Sequence, residues 1–259
     1  MKAIWTGSIG FGLVNIPVKL YSATEDSSID LDMLDSKDHS RILFKRVNAE
    51  TGKEVAWENI VKAYNYDGNY IILDNADFEV ANPEKSKVIA IERFVDLKEI
   101  ESVYYESPYY LEPQKNAESA YALLMEAMKK TGKAGLGSFV MRTKESLGIL
   151  KPYEDVIIFQ RIRYAQEIRD SSEIKVPKKQ IKPAEMKMAV SLIESMADDF
   201  KIEEFEDQYS SSLMKVIEEK AKGKKGKPVA KKVVHTKTAD LMEQLKASLA
   251  VKNKKAKAS

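Results

Sequence analysis

At 259 residues, 44% of them hydrophobic, the chain is long enough for one large domain or two small ones with a sizeable core, and no apolar run reaches the roughly 20 residues that cross a bilayer. The absence of cysteine excludes disulfides, thiolate metal sites and cysteine nucleophiles, and fits a reducing cytoplasm. A formal net charge of +2 conceals a division: residues 220–259 hold thirteen Lys against Asp240 and Glu243, a net of +11, leaving 29 basic and 38 acidic residues before them, a net of −9; the basic end seeks a polyanion, nucleic acid foremost, unless it is only a solvating terminus.

The opening MKAIWTGSIGFGLVNIPVKLYSATED is broken by Thr6, Gly7, Ser8, Gly10, Gly12 and Asn15, so it lacks the apolar stretch of an export signal. Gly10 and Gly12 begin a G-x-G-x-x-G pattern, but Asn15 stands third and Pro17 blocks the helix that should follow. Strand remains, with Trp5, Ile9, Phe11 and Leu13 alternating before a kink and Val18 and Leu20 after it. Further strands are expected over 41–47, 63–66, 69–73, 87–95, 102–106, 109–112, 137–143, 146–151 and 156–164, segments rich in β-branched and aromatic residues and separated by turn signals such as Asp67-Gly68-Asn69. So many short strands imply a barrel or sandwich. One helix interrupts them over 116–132, with Asn116 as cap, Tyr121, Leu124, Met125 and Met128 at helical spacing, and Gly132 as its stop.

From Asp170 the chain turns polar, and two prolines mark an extended connector up to Pro183. Pro183 suits a first helical position, and 183–200 carries Met186, Ala189, Val190, Ile193 and Met196 as one apolar stripe. A second helix, 203–221, places Phe205, Tyr209, Leu213 and Ile217 four apart; both stripes are read as packing faces. Residues 223–238 are too rich in Lys, Gly and Pro to bury much surface and read as a flexible basic linker. Helical periodicity returns over 239–250, with Thr238 as cap and Leu241, Met242, Leu245 and Leu249 as its stripe. A helix so short is marginal in isolation, so it either docks into a partner's groove or folds back on its own domain.

Catalytic patterns are sparse. His39 and His235 fall on loop and linker without companions at metal spacing, and no G-x-S-x-G, P-loop or H-E-x-x-H occurs. Asp170 with Glu185 and Lys187 resembles an acid plus Glu-x-Lys of a metal-dependent nuclease. Its placement argues against that chemistry, since Asp170 precedes a loose connector and Glu185 sits in a first helical turn, where the helix dipole favours any carboxylate. Cations within expected strands are Arg41, Lys45 and Arg46, then Arg142 and Lys144 at a junction, then Arg161 and Arg163 on one face. They could hold phosphates without reading bases, or could form ordinary cross-strand pairs with acids.

The blocks IWTGSIGFGLVNIPVKLYSATED, FKRVNAETGKEV, SPYYLEP, AYALLMEAM, YAQEIRD and IKPAEMKMAVSLIESMADDF together resemble the prokaryotic Ku family of non-homologous end joining, over residues 1–222 and again over 238–249. The resemblance implies a mixed β+α fold: a Ku-type β-barrel with a DNA-encircling bridge over 1–170, a connector and helical region over 171–222, and a flexible Lys-rich tail over 223–259 with a short docking helix at 239–250. Two chains would close a ring around duplex DNA threaded from a broken end. By the same resemblance Lys19, Arg41, Lys45, Arg46, Arg142 and Lys144 are expected at the channel, and Lys220, Lys222, Lys224, Lys225, Lys227, Lys231 and Lys232 on flanking duplex. Leu241, Met242, Leu245 and Leu249 are expected to face the end-joining ATP-dependent DNA ligase of the ligase D type. The implied protein is non-catalytic, needs no cofactor and works on the bacterial nucleoid in the cytoplasm. Its rivals are a metal-dependent nuclease and an architectural DNA-coating protein. Two features depart from relatives: Asn48 and Thr51 stand where many carry a Cys-x-x-Cys pair, and barrel-type sequence starts at Met1, without the extra N-terminal domain of eukaryotic relatives.

Overall fold

The computed structural model describes residues 1–81, 87–141, 144–176 and 180–223. The chain divides into two compact units, one comprising Met1–Asp26 and Leu31–Asp170, the other Ser27–Asp30 and the residues from Ser171 onward.

In the first unit the glycine-bearing start is a hairpin, not one kinked strand. β1 (Trp5–Phe11) and β2 (Val14–Ser22) pair antiparallel from Trp5↔Leu20 to Phe11↔Val14, with Gly12 at φ 55° in the reversal and Leu13 fully exposed at its tip. β3 (Lys62–Tyr66) and β4 (Asn69–Leu73) form a separate two-stranded sheet. A short helix that sequence periodicity missed, α1 (Asn75–Val80), follows; the Asp74 carboxylate accepts from Ala76 and Asp77 N–H, and Asp77 accepts from Asp74 N–H in return. Then come β5 (Val88–Asp96), β6 (Tyr105–Pro113), α2 (Glu118–Thr131), β7 (Lys133–Met141), β8 (Lys144–Tyr153) and β9 (Val156–Ile162). Seven strands close into a barrel in the order β1-β2-β6-β9-β8-β7-β5, and β5 returns to β1 as the parallel pair. Closure leaves the barrel no edge strand to template aggregation.

Alternate residues point inward as the strand period requires: Ile9, Ile16, Val18, Leu20, Ile89, Leu111, Phe139, Leu150, Ile157 and Phe159 are all essentially inaccessible. Phe139 stacks edge-on against Phe159 at 4.7 Å and against Trp5 at 5.6 Å. At Gly137 a Cβ would collide with the Ala90 carbonyl, so the β5–β7 ladder closes this tightly only around a glycine. α2 adds Tyr121, Leu124 and Met128 to the same core. The Tyr121 hydroxyl enters the β6–β9 ladder, donating to Leu111 O and accepting from Ile157 N–H, each at 2.6 Å, and burial pushes its phenol pKa up.

Several expected boundaries move. The 102–106 and 109–112 segments merge: Ser102–Tyr104 is a 3-10 turn and β6 runs through Pro108, where the pairing to β9 slips register. Asn116 does not cap α2; it lies at φ 70° in a turn, and Ala117 occupies the cap position with its N–H held by Gln114 O. Gly132, at φ 66°, does end the helix. The segment 41–47 is not a strand, having only the isolated bridges Leu34↔Arg41 and Val47↔Glu54. A strand needs a ladder neighbour and a face to bury, and Leu43 and Phe44 are 84% and 80% exposed.

The second unit holds α3 (Pro183–Met196), with Pro183 in the first turn, and α4 (Gln208–Ala221), where Asp207 caps by accepting from Tyr209 and Ser210 N–H. Both are shorter than expected: α3 stops at Met196, and Ile202–Glu204 is a separate 3-10 turn that leaves Phe205 outside α4. The stripe expected to pack does not: Met186, Val190, Ile193 and Met196 are exposed, as are Phe205 and Tyr209. The half-buried side of α3 is Glu185, Met188, Ala189 and Leu192.

Candidate nucleic-acid interface

Between β2 and β5 the chain makes a long excursion, and none of its described residues from 31 to 81 is buried. Its local order comes from turns. The Asn48 side-chain carbonyl accepts from Glu50 and Thr51 N–H, Gly52 N–H returns to Asn48 O, Asn48 N–H reaches Lys53 O and Val55 N–H reaches Arg46 O. Those bonds close a narrow loop at the place where relatives were expected to carry a cysteine pair.

The excursion carries three of the expected cations. Lys45 pairs with Glu54 across the loop at 2.7 Å, and Arg41 pairs with Asp32 at 2.6 Å beside the Leu34 bridge. The Arg46 guanidinium instead lies over the Trp57 ring, 4.4 Å from its centroid, and among the described residues no carboxylate pairs with it. Stacking occupies the guanidinium's face and leaves its in-plane N–H donors free, which is the geometry that grips a phosphate by two bonds. A cation missed in the sequence also lies over an aromatic ring: the Lys62 ammonium on β3 sits 4.9 Å from the Phe78 ring of α1. The missing signal was tertiary, since Lys62 and Phe78 are sixteen residues apart.

The remaining expected cations are scattered. Lys19 is exposed on β2 directly opposite Glu112 of β6, whose carboxylate also accepts from the Tyr21 hydroxyl and raises that phenol's pKa. Lys144 opens β8 opposite Met141; its side chain, and Arg142 entirely, lie outside the described residues. Lys220 lies in the last turn of α4, where the helix dipole favours a cation, and Lys222 caps that helix. Lys224, Lys225, Lys227, Lys231, Lys232, Leu241, Met242, Leu245 and Leu249 fall outside the described residues.

Arg161 and Arg163 are committed elsewhere. Both meet the Glu106 carboxylate, at 2.9 and 3.6 Å, and Arg163 also donates to Tyr105 O at 2.6 Å and Val103 O at 3.3 Å. They clamp the β6–β9 ladder where its register slips. Lys151 is half-buried beside the Tyr105 ring, and burial pulls its ammonium pKa down. Glu185, the centre of the nuclease pattern, is turned back on its own helix, accepting from Lys182 N–H at 3.4 Å. Among the described residues no group of three His, Cys, Asp or Glu could hold a metal, and no helix is long and apolar enough to cross a membrane. Stacked and ion-paired cations on exposed backbone can hold a polyanion.

Comparison with known proteins identifies relatives of the whole chain. Residues 10–188 match the family model for the Ku70/Ku80 beta-barrel domain. The chain is 38% identical over 262 residues to a protein of Coxiella burnetii called non-homologous end joining protein Ku, covering 98% of this chain and 96% of that one. Proteins of the same name from Archaeoglobus fulgidus and Bacillus subtilis are 42% identical over 254 residues (96% of this chain, 98% of the relative) and 37% over 228 (86% and 73%).

Proposed function

We propose that this chain, which belongs to the Ku family of non-homologous end joining proteins, binds the ends of double-stranded DNA without regard to sequence. It does so as a ring-shaped homodimer, and its C-terminal residues recruit and stimulate the end-joining ATP-dependent ligase. The observation that carries this reading is the excursion between β2 and β5. It exposes Leu43, Phe44, Trp57 and Tyr70 by 72–84%, large apolar side chains that a solitary subunit would leave in water. A second copy covers such a surface at lowest cost, and the cations between those apolar residues then line the enclosed space.

A closed collar also reconciles charge with function. Only the lining needs to be positive, so the net −9 of the first 219 residues is compatible with DNA binding and discourages side-on contact. Phosphate contacts carry no sequence information, which suits a protein that must accept any break. The protein acts without bond chemistry of its own and works on the bacterial chromosome in the cytoplasm.

The test compares a linear blunt duplex with the same DNA as a covalently closed circle in a gel-shift assay. The linear form should bind and the circle should bind poorly; equal binding would refute threading and favour a general coating protein. The mass in solution, free and with duplex, should correspond to two chains.

A further inference from the structure

A second feature of the first unit is lined by none of the cations assigned above to DNA. A cleft of about 600 Å³ runs along α2, with Phe11, Val14, Phe94, Leu123, Leu124 and Ala127 among its walls. Phe11 and Phe94 meet edge-on at 6.0 Å as its floor, while Leu123, on the outer wall, is 73% exposed. Leu13, fully exposed at the β1–β2 reversal, adjoins Val14. The lining is almost wholly apolar, and the Thr131 hydroxyl within it is already bonded to Ala127 O at 2.8 Å. Nothing there would orient a polar small molecule.

The rim is basic. Lys133 lines the cleft, and Lys130 lies two helical turns beyond Leu123 on the same face of α2. Among the described residues neither pairs with a carboxylate; Asp96, opposite Lys133 on β5, accepts from Lys98 N–H. A helix laid in an apolar groove satisfies the shape, and acidic residues beside its apolar anchors satisfy the charge. The geometry points to this cleft as the docking site of an amphipathic helix from another protein, with large apolar side chains at i, i+4 and i+7 and acidic residues flanking them.

The experiment uses the full chain and a fluorescent 18-residue helical peptide carrying Leu at those positions and Glu beside them, read by anisotropy at low ionic strength. The Glu peptide should bind saturably and at least tenfold more tightly than an analogue with Lys for every Glu. Leu123→Asp and Ala127→Glu, both at exposed positions, should each weaken it tenfold or more without changing affinity for blunt duplex. Combined Lys130→Glu and Lys133→Glu should reverse the preference between peptides. Failure to saturate, equal binding of both peptides, or full binding by the variants would overturn the assignment. A fall in solution mass with Leu123→Asp would overturn it too, by making the cleft a contact between copies.

Discussion

Replacing Arg41, Lys45 and Arg46 together by Gln separates their role in DNA binding from their role in folding. Arg41 and Asp32 are 76% and 68% exposed, and Lys45 and Glu54 are 67% and 58% exposed, so each lost ion pair costs about 0.2–1 kcal/mol. Losing the Arg46–Trp57 stack costs about 0.5–1 kcal/mol more. The sum, about 1–3 kcal/mol, lies inside the ~5–15 kcal/mol margin of a folded domain, so the variant should fold. On DNA the effect is larger. Each phosphate neutralised contributes about 0.9 to the slope of log affinity against log salt, so three cations account for up to about 2.7 per chain and about 5.4 for two chains. Arg41 and Lys45 exchange a carboxylate for a phosphate and gain less than Arg46, whose donors are uncommitted; Arg46→Gln should therefore take the largest single share. The assay is affinity for a blunt duplex titrated from about 50 to 200 mM salt. An unchanged slope in a folded triple variant, or a loss confined to one DNA sequence, would refute the reasoning.

Further outcomes concern other parts of the molecule. Tyr121→Phe leaves Ile157 N–H and Leu111 O without their shared hydroxyl, and should cost about 1–3 kcal/mol in urea unfolding. Because burial raises the Tyr121 phenol pKa above its ordinary 10.0, the wild-type contribution is complete below pH 10 and lost as pH rises through the folded value; the Phe variant should lose less stability on that alkaline limb. Glu106→Gln removes the carboxylate of Arg161 in a part-buried site, while Arg163 keeps its bonds to Tyr105 O and Val103 O, and should destabilise by about 1–3 kcal/mol, below the cost for a fully buried pair, measured as a drop in thermal midpoint. Deleting residues 223–259 should preserve end binding at low salt but abolish ligase stimulation, and Leu245→Asp should abolish stimulation without altering DNA affinity.

Where sequence reading and structure part, the reason is consistently the neighbour. Periodicity located the barrel strands because each has a ladder partner and an inward face, so Ile9, Val18, Leu20, Phe139 and Phe159 occupy the alternating positions that strand geometry demands. The same β-rich composition in 41–47 misled, since among the described residues it meets only isolated bridges and none of its side chains is buried. Met186 to Met196 kept its helical spacing but not its expected burial, because an apolar stripe states that something must cover it and not what does.

For the candidate site, residue type was legible and commitment was not. Arg41, Lys45, Arg46, Arg161 and Arg163 are equivalent charges in the sequence. The fold gives two of them exposed carboxylates, lays one on Trp57 and spends two on Glu106, as only pairing across distant segments can. By itself the sequence determined a strand-rich class, barrel or sandwich, then the family resemblance that implies the barrel, and the uneven charge, because these depend on local periodicity, block order and composition. The tertiary structure decided which cations stay free, which apolar faces stay open and where a glycine is obligatory, since each is a matter of what a side chain meets in space.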